Sequence, residues 1–265
     1  MKLPAFRTAQ ATSTLGPIDP TRKTALVAGI LYLITFIASI PAVFLQAPVL
    51  NNANYIVSAG ADTQVIFGAS LDLVNALAAV GTAVALFWVV KRQNESFALG
   101  FVITRMFEAA TIVIGVVCIL AVVTLRQTGV AGADAATLVI VGQALVAVRN
   151  WTFTIGPSLM PALNALLLGT LMYRSRLVPR VLPVAGLIGA PLQISSVILM
   201  LFGISITIFQ GIAVAPIFFW ELSLGLWMAM KGFKRSAPLI VAITTEKGRE
   251  KSPLSPANSA QVRIG

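Results

Sequence analysis

Apolar residues in this chain fall in long unbroken runs rather than in the short alternating stretches of a water-soluble fold. Six runs reach the length of about 20 residues that an α-helix needs to cross a bilayer. They cover residues 24–46, 65–90, 97–125, 151–173, 182–204 and 212–232. A further apolar run, 135–148, is interrupted by Gly142 and Gln143. At a rise of about 1.5 Å per residue it falls short of the hydrocarbon core. It reads either as an extra helix at the outer surface or as an early start of the fourth span. The pattern predicts an all-α, polytopic transmembrane helix bundle of six spanning helices, with an extra surface or extended helix between spans three and four.

Polar positions between the runs set the sidedness. Lys91 and Arg92 follow the second span, Arg174, Arg176 and Arg180 the fourth, and Lys231, Lys234 and Arg235 the sixth. The alternate loops are nearly bare: 47–64 carries only Asp62, and 205–211 has no charge. Of 19 Lys and Arg, 16 fall on one side, and only Arg105, Arg126 and Arg149 do not. The positive-inside rule makes that side cytoplasmic, so both termini are expected there. Residues 1–23 read as a flexible N-terminal arm and 24–235 as the six-span domain. The segment 236–265 reads as a basic, disordered tail with one apolar patch, Leu239 to Ile243. The basic loops and tail suit anionic lipid at the cytoplasmic surface. A net charge of +10 raises nucleic acid as a partner. The charge is spread over every loop on one side, so no nucleic-acid partner is expected.

Composition narrows the chemistry. The 265 residues are 57% hydrophobic and 11% charged, with one cysteine and no histidine. A chain without histidine has no Ser-His-Asp or Cys-His machinery and no His-bearing zinc or haem site. One cysteine forms no internal disulfide. Neither a phosphate-binding glycine loop nor metal-ligand spacing is present, so no cofactor, metal or catalytic residue is assigned.

What remains is a set of polar residues inside the apolar runs. A charge at the centre of a spanning helix costs about 2.5–3.5 kcal/mol on the insertion scale. Asp72, Arg105, Glu108 and Glu221 fall there, so each must face a partner or a wet cavity. Helical spacing agrees. Gly68, Asp72, Asn75, Ala79 and Thr82 form one stripe in the second span; Arg105, Glu108, Thr111, Gly115 and Cys118 form another in the third. The first span offers Ala28, Tyr32, Thr35, Ser39, Ala42 and Gln46, and the sixth Glu221, Gly225 and Ala229. From rise per residue, the three carboxylates lie within about 5 Å of one depth. Arg105 and Glu108, three apart, can pair. That leaves Asp72 and Glu221 without a deep cation unless Arg149, near the outer boundary, reaches Asp72. The candidate site is therefore Asp72, Asn75, Arg105, Glu108 and Glu221, suited to a small solute or cation. Two alternatives stand beside it: polar glue that only locks helices, and an intramembrane enzyme using two close carboxyls. Pro41, Pro157, Pro161, Pro191 and Pro216 are expected to bend their spans or free a backbone bond.

A family resemblance adds to this reading. Val27-Ala28-Gly29-Ile30-Leu31-Tyr32-Leu33 resembles the opening of a bacterial family, the domain of unknown function numbered 4386. Asp72, Arg105 and Glu108-Ala109 fit it too. So do Gly169-Thr170-Leu171-Met172-Tyr173-Arg174-Ser175 with Pro179-Arg180, and Trp220-Glu221-Leu222-Ser223-Leu224-Gly225-Leu226-Trp227 with Lys231-Gly232. Arg176 and Pro183 stand where the family pattern would place glycines. The resemblance implies a multi-pass protein of the bacterial inner membrane and supplies no activity or substrate.

Overall fold

The structure, a computed structural model, describes residues 20–129 and 134–251. Among these residues every regular element is helical. The order is α1 (Pro20–Asn51), a 3-10 turn (Tyr55–Val57), α2 (Asp62–Val90), α3 (Glu95–Thr128), α4 (Ala135–Phe153), a π-helical turn (Thr154–Ser158), α5 (Met160–Ser175), α6 (Val181–Leu201), α7 (Thr207–Met230) and α8 (Pro238–Lys251). Six helical stretches are long and apolar enough to span a membrane, with α4, the π turn and α5 counting as one stretch, Ala135–Ser175. Large apolar side chains point outward in mid-helix, with Ile37 71% and Leu77 74% exposed. Such a surface is stable in lipid and not in water.

The segment between spans three and four is an extended helix rather than a separate surface one. Asp134 caps α4 by accepting a bond from the Thr137 amide at 2.7 Å, and α4 and α5 both pack on α3. Pro157 prevents a plain α-helix at their junction. The π turn there frees the Ser158 carbonyl, because the Ala162 amide bonds Leu159 instead, at 3.1 Å. Gln193 Nε2 from α6 donates to that carbonyl at 3.1 Å. A broken helix is thus satisfied by its neighbour. Pro41, Pro191 and Pro216 lie within helices that continue through them.

Small residues allow the closest helix crossing. A Cβ on Gly29 would sit 2.4 Å from the Ala229 amide nitrogen of α7, so α1 and α7 meet backbone to backbone. Arg22 then reaches past the end of α7 and donates to the carbonyls of Met228, Ala229 and Met230 at 2.9, 2.8 and 3.0 Å. These are carbonyls that a helix end leaves without partners.

Two apolar cores result. One, toward the basic helix ends, is built on Tyr32, Leu86, Phe101, Leu168, Met172, Trp220 and Leu224. The other, toward the opposite end, joins Tyr55, Val65, Ala76, Ile112, Ile119 and Val122. On α3 the turn from Arg105 to Glu108 separates them. Residues 1–19, 130–133 and 252–265 lie outside the described residues, so the expected N-terminal arm except its last four residues, and the last 14 residues of the expected tail, fall there. The start of that tail differs from the expectation of disorder. Pro238–Lys251 is helical, and Ala237, Ile240 and Ile243 are buried in the first core. The apolar patch Leu239 to Ile243 supplies the burial that its charged surroundings lack.

Candidate functional site

Arg105 sits at the centre of the polar layer, 1% exposed. Its Nη1 donates to Glu108 Oε2 at 3.1 Å, one helical turn along α3, and its Nη2 to Glu221 Oε1 of α7 at 2.5 Å. The guanidinium also lies 4.9 Å from the centre of the Tyr32 ring of α1. One buried cation therefore ties together three helices and carries two carboxylates. The expectation that Glu221 lacks a deep cation does not hold. Helix α7 packs on α1 and α6, and Glu221 reaches from it to the free arm of Arg105. The same guanidinium carries both glutamates, one on each terminal nitrogen.

Glu108 has a further partner. Asn164 Nδ2 of α5 donates to Glu108 Oε2 at 3.0 Å, and the Thr104 hydroxyl donates to Asn164 Oδ1. Asn164 was not among the residues singled out from the sequence. Its signal was present, because an amide in an apolar span needs an internal partner as much as a charge does.

Asp72 is held differently. Gln46 Nε2 of α1 donates to Asp72 Oδ2 at 2.7 Å, while Gln46 Oε1 accepts from Arg149 Nη2 at 3.2 Å. The amide stands between an acid and a base, with its donor end on one and its acceptor end on the other. Among the described residues neither Asp72 nor Arg149 has a direct ion-pair partner. Arg149, 7% exposed, lies 4.7 Å from the centre of the Phe153 ring. The conditional link from Arg149 to Asp72 thus exists at one remove, through Gln46.

These groups share one space. A cavity of about 400 Å³ is lined by Asp72, Asn75, Arg105, Glu108, Arg149 and Glu221 together with Thr35, Ser39, Thr111 and Thr152. All five residues expected from the sequence line it. The π turn completes its wall. A Cβ on Gly156 would fall 1.8 Å from the Thr111 hydroxyl oxygen, so only glycine lets this turn lie against α3 beside Glu108. Three carboxylates and two guanidinium groups give the lining a formal surplus of one negative charge.

Outside the cavity, a second polar cluster pins the opposite helix ends. The Tyr55 hydroxyl donates to Asp62 Oδ1 at 2.7 Å. Arg126 pairs with Asp62 and donates to the Ser58 carbonyl at 2.8 Å. All its partners are protein groups, so it fastens the loop before α2 onto α3. Burial and the bond to Asp62 push the Tyr55 hydroxyl well above the usual tyrosine range. No group of three or more metal-ligating side chains is present among the described residues.

A bundle of six apolar helices enclosing a charged cavity defines a multi-pass integral membrane protein. The family model of the domain of unknown function DUF4386 matches residues 27–232. The chain belongs to that family. No curated protein and no solved structure matches it.

Proposed function

We propose that this is a cell-membrane protein, with both termini cytoplasmic, that binds a small solute or ion in the mid-bundle cavity and passes it across the bilayer. One observation carries the reading: Asp72, Glu108 and Glu221 all line a single cavity of about 400 Å³. Carboxylates that served only to lock helices would be expected in a dry, fully paired cluster. Asp72 instead faces open space with an amide as its partner. Asp72, Glu108 and Glu221 are the coordinating or titrating groups, Arg105 sets the charge state around both glutamates, and Asn75 lines the path.

A second reading has its own support. Arg105 with Glu108 and Glu221 is a closed triad joining α3 and α7, and such triads can serve as glue. The two readings part on function. In vesicles reconstituted with the purified chain, Asp72→Asn and Glu221→Gln should change solute, cation or proton flux. If the protein moves nothing and the variants alter only stability, glue is the better description.

A further inference from the structure

The mouth and the charges of this cavity together indicate what it takes. Helix α4 packs on α3 and on the 3-10 turn but makes no extensive contact with α1 or α7. On that open side the cavity is lined by Ile40 and Val43 of α1, Phe153 of α4, and Val214 and Phe218 of α7. All five keep exposed surface, from 37% for Phe218 to 46% for Ile40 and Val214. They lie inside the spanning stretches and away from the ends of those stretches, the part of a span that hydrocarbon surrounds. An apolar rim at that depth faces acyl chains, not water. A solute entering there arrives dissolved in the bilayer.

Inside, Arg149 and Asp72 lack direct ion-pair partners among the described residues, and Gln46 holds them apart. A ligand with an anionic oxygen group and an ammonium satisfies both, the first on Arg149 and the second on Asp72. A purely anionic head would add to a lining that already has one more carboxylate than guanidinium. A purely cationic head would leave Arg149 bonded only to an amide. Resting on the reading of the cavity as a ligand site, we infer that it takes the zwitterionic head of a membrane amphiphile, an amine joined to a phosphate, with the acyl chains leaving between α4 and the α1–α7 pair.

The test uses the full-length purified protein and native mass spectrometry. It is titrated with phosphatidylethanolamine, with phosphatidylglycerol of the same acyl chains, and with free O-phosphoethanolamine. Phosphatidylethanolamine should bind about tenfold tighter than phosphatidylglycerol; Asp72→Asn, which loses the ammonium partner, should remove that preference, and Arg149→Gln, which loses the phosphate partner, should weaken binding of both lipids about tenfold. Arg149→Lys, which keeps the charge, should retain most of the affinity and so separates lost recognition from lost folding. Equal binding of the two lipids overturns the inference, as does a preference that survives Asp72→Asn or an affinity that Arg149→Gln leaves unchanged. Binding of free O-phosphoethanolamine with the same Asp72 and Arg149 dependence, but no lipid preference, overturns the lipid-borne ligand and leaves the solute-binding reading standing. No binding by lipid or solute, together with flux unaffected by Asp72→Asn, overturns both.

Discussion

Glu221 accepts a bond from Arg105 at 2.5 Å although 116 residues separate them, and this side-chain contact links α7 to α3, helices that do not pack directly on each other. Each partner is costly alone in lipid, so the pair should show strong coupling. Arg105→Met leaves Glu108 and Glu221 without their cation and should destabilise the protein by about 3–5 kcal/mol. Glu221→Gln keeps an acceptor and should cost less. Unfolding in detergent of both single variants and the double variant gives the coupling directly. Additive effects would mean the contact contributes little.

Gly29 tests the helix crossing. A Cβ there meets backbone atoms of Ala229 and Gly225 at 2.4 and 2.8 Å, which cannot give way as a flexible side chain can. Gly29→Ala should cost about 1–3 kcal/mol or more by forcing α1 from α7. Gly211→Ala is the control, because nothing lies within 4 Å of its Cβ position. It should be neutral or stabilising by about 0.5–1 kcal/mol, since alanine is the better helix former. Thermal unfolding of the two variants separates crowding from helix propensity.

Arg176 ends α5 in the left-handed conformation, φ 55°, and its side chain is exposed. Glycine is the residue that adopts this geometry without strain. Arg176→Gly should therefore stabilise the protein by about 0.5–1 kcal/mol, the relieved strain less glycine's own entropy cost. A lowered unfolding midpoint would show that the guanidinium contributes more than the backbone loses.

Asp134 links pH to the start of α4. The backbone amide of Thr137, which the carboxylate caps, holds the Asp134 carboxyl below the usual aspartate range. For a depressed carboxyl, the stabilisation is present above the unfolded value and lost as pH falls through the folded one. Amide exchange in the first turn of α4, corrected for intrinsic rate, should therefore accelerate in acid. Asp134→Ala should show the faster exchange already at neutral pH, with little further acid effect. An unchanged acid response in the variant would assign the fraying to another group.

Much of this was legible in the sequence because lipid imposes a simple rule. Every backbone bond must be met inside a helix, and every long apolar run must be one. The six spans follow from that rule, as does the placing of Asp72, Arg105 and Glu108 on inward stripes. Pairings across the fold were not legible. Glu221 meeting Arg105, and Gln46 standing between Asp72 and Arg149, depend on which helices are neighbours. Helical period says which face is polar, never which helix it faces. Asn164 was missed because a lone amide among leucines carries less cost than a charge. The joining of α4 to α5 was ambiguous because Pro157 looks the same in a break and in a π turn.

Flux through the cavity is the most direct test. Purified protein in sealed vesicles, assayed for proton, cation and small-solute movement, is compared with Asp72→Asn and Glu221→Gln variants whose unfolding midpoints are also measured. Movement that changes about tenfold or more in the variants, beyond any change in folded fraction, is the expected result. If the wild-type protein moves nothing, and the variants differ from it only in unfolding midpoint, Asp72, Glu108 and Glu221 serve packing and not passage.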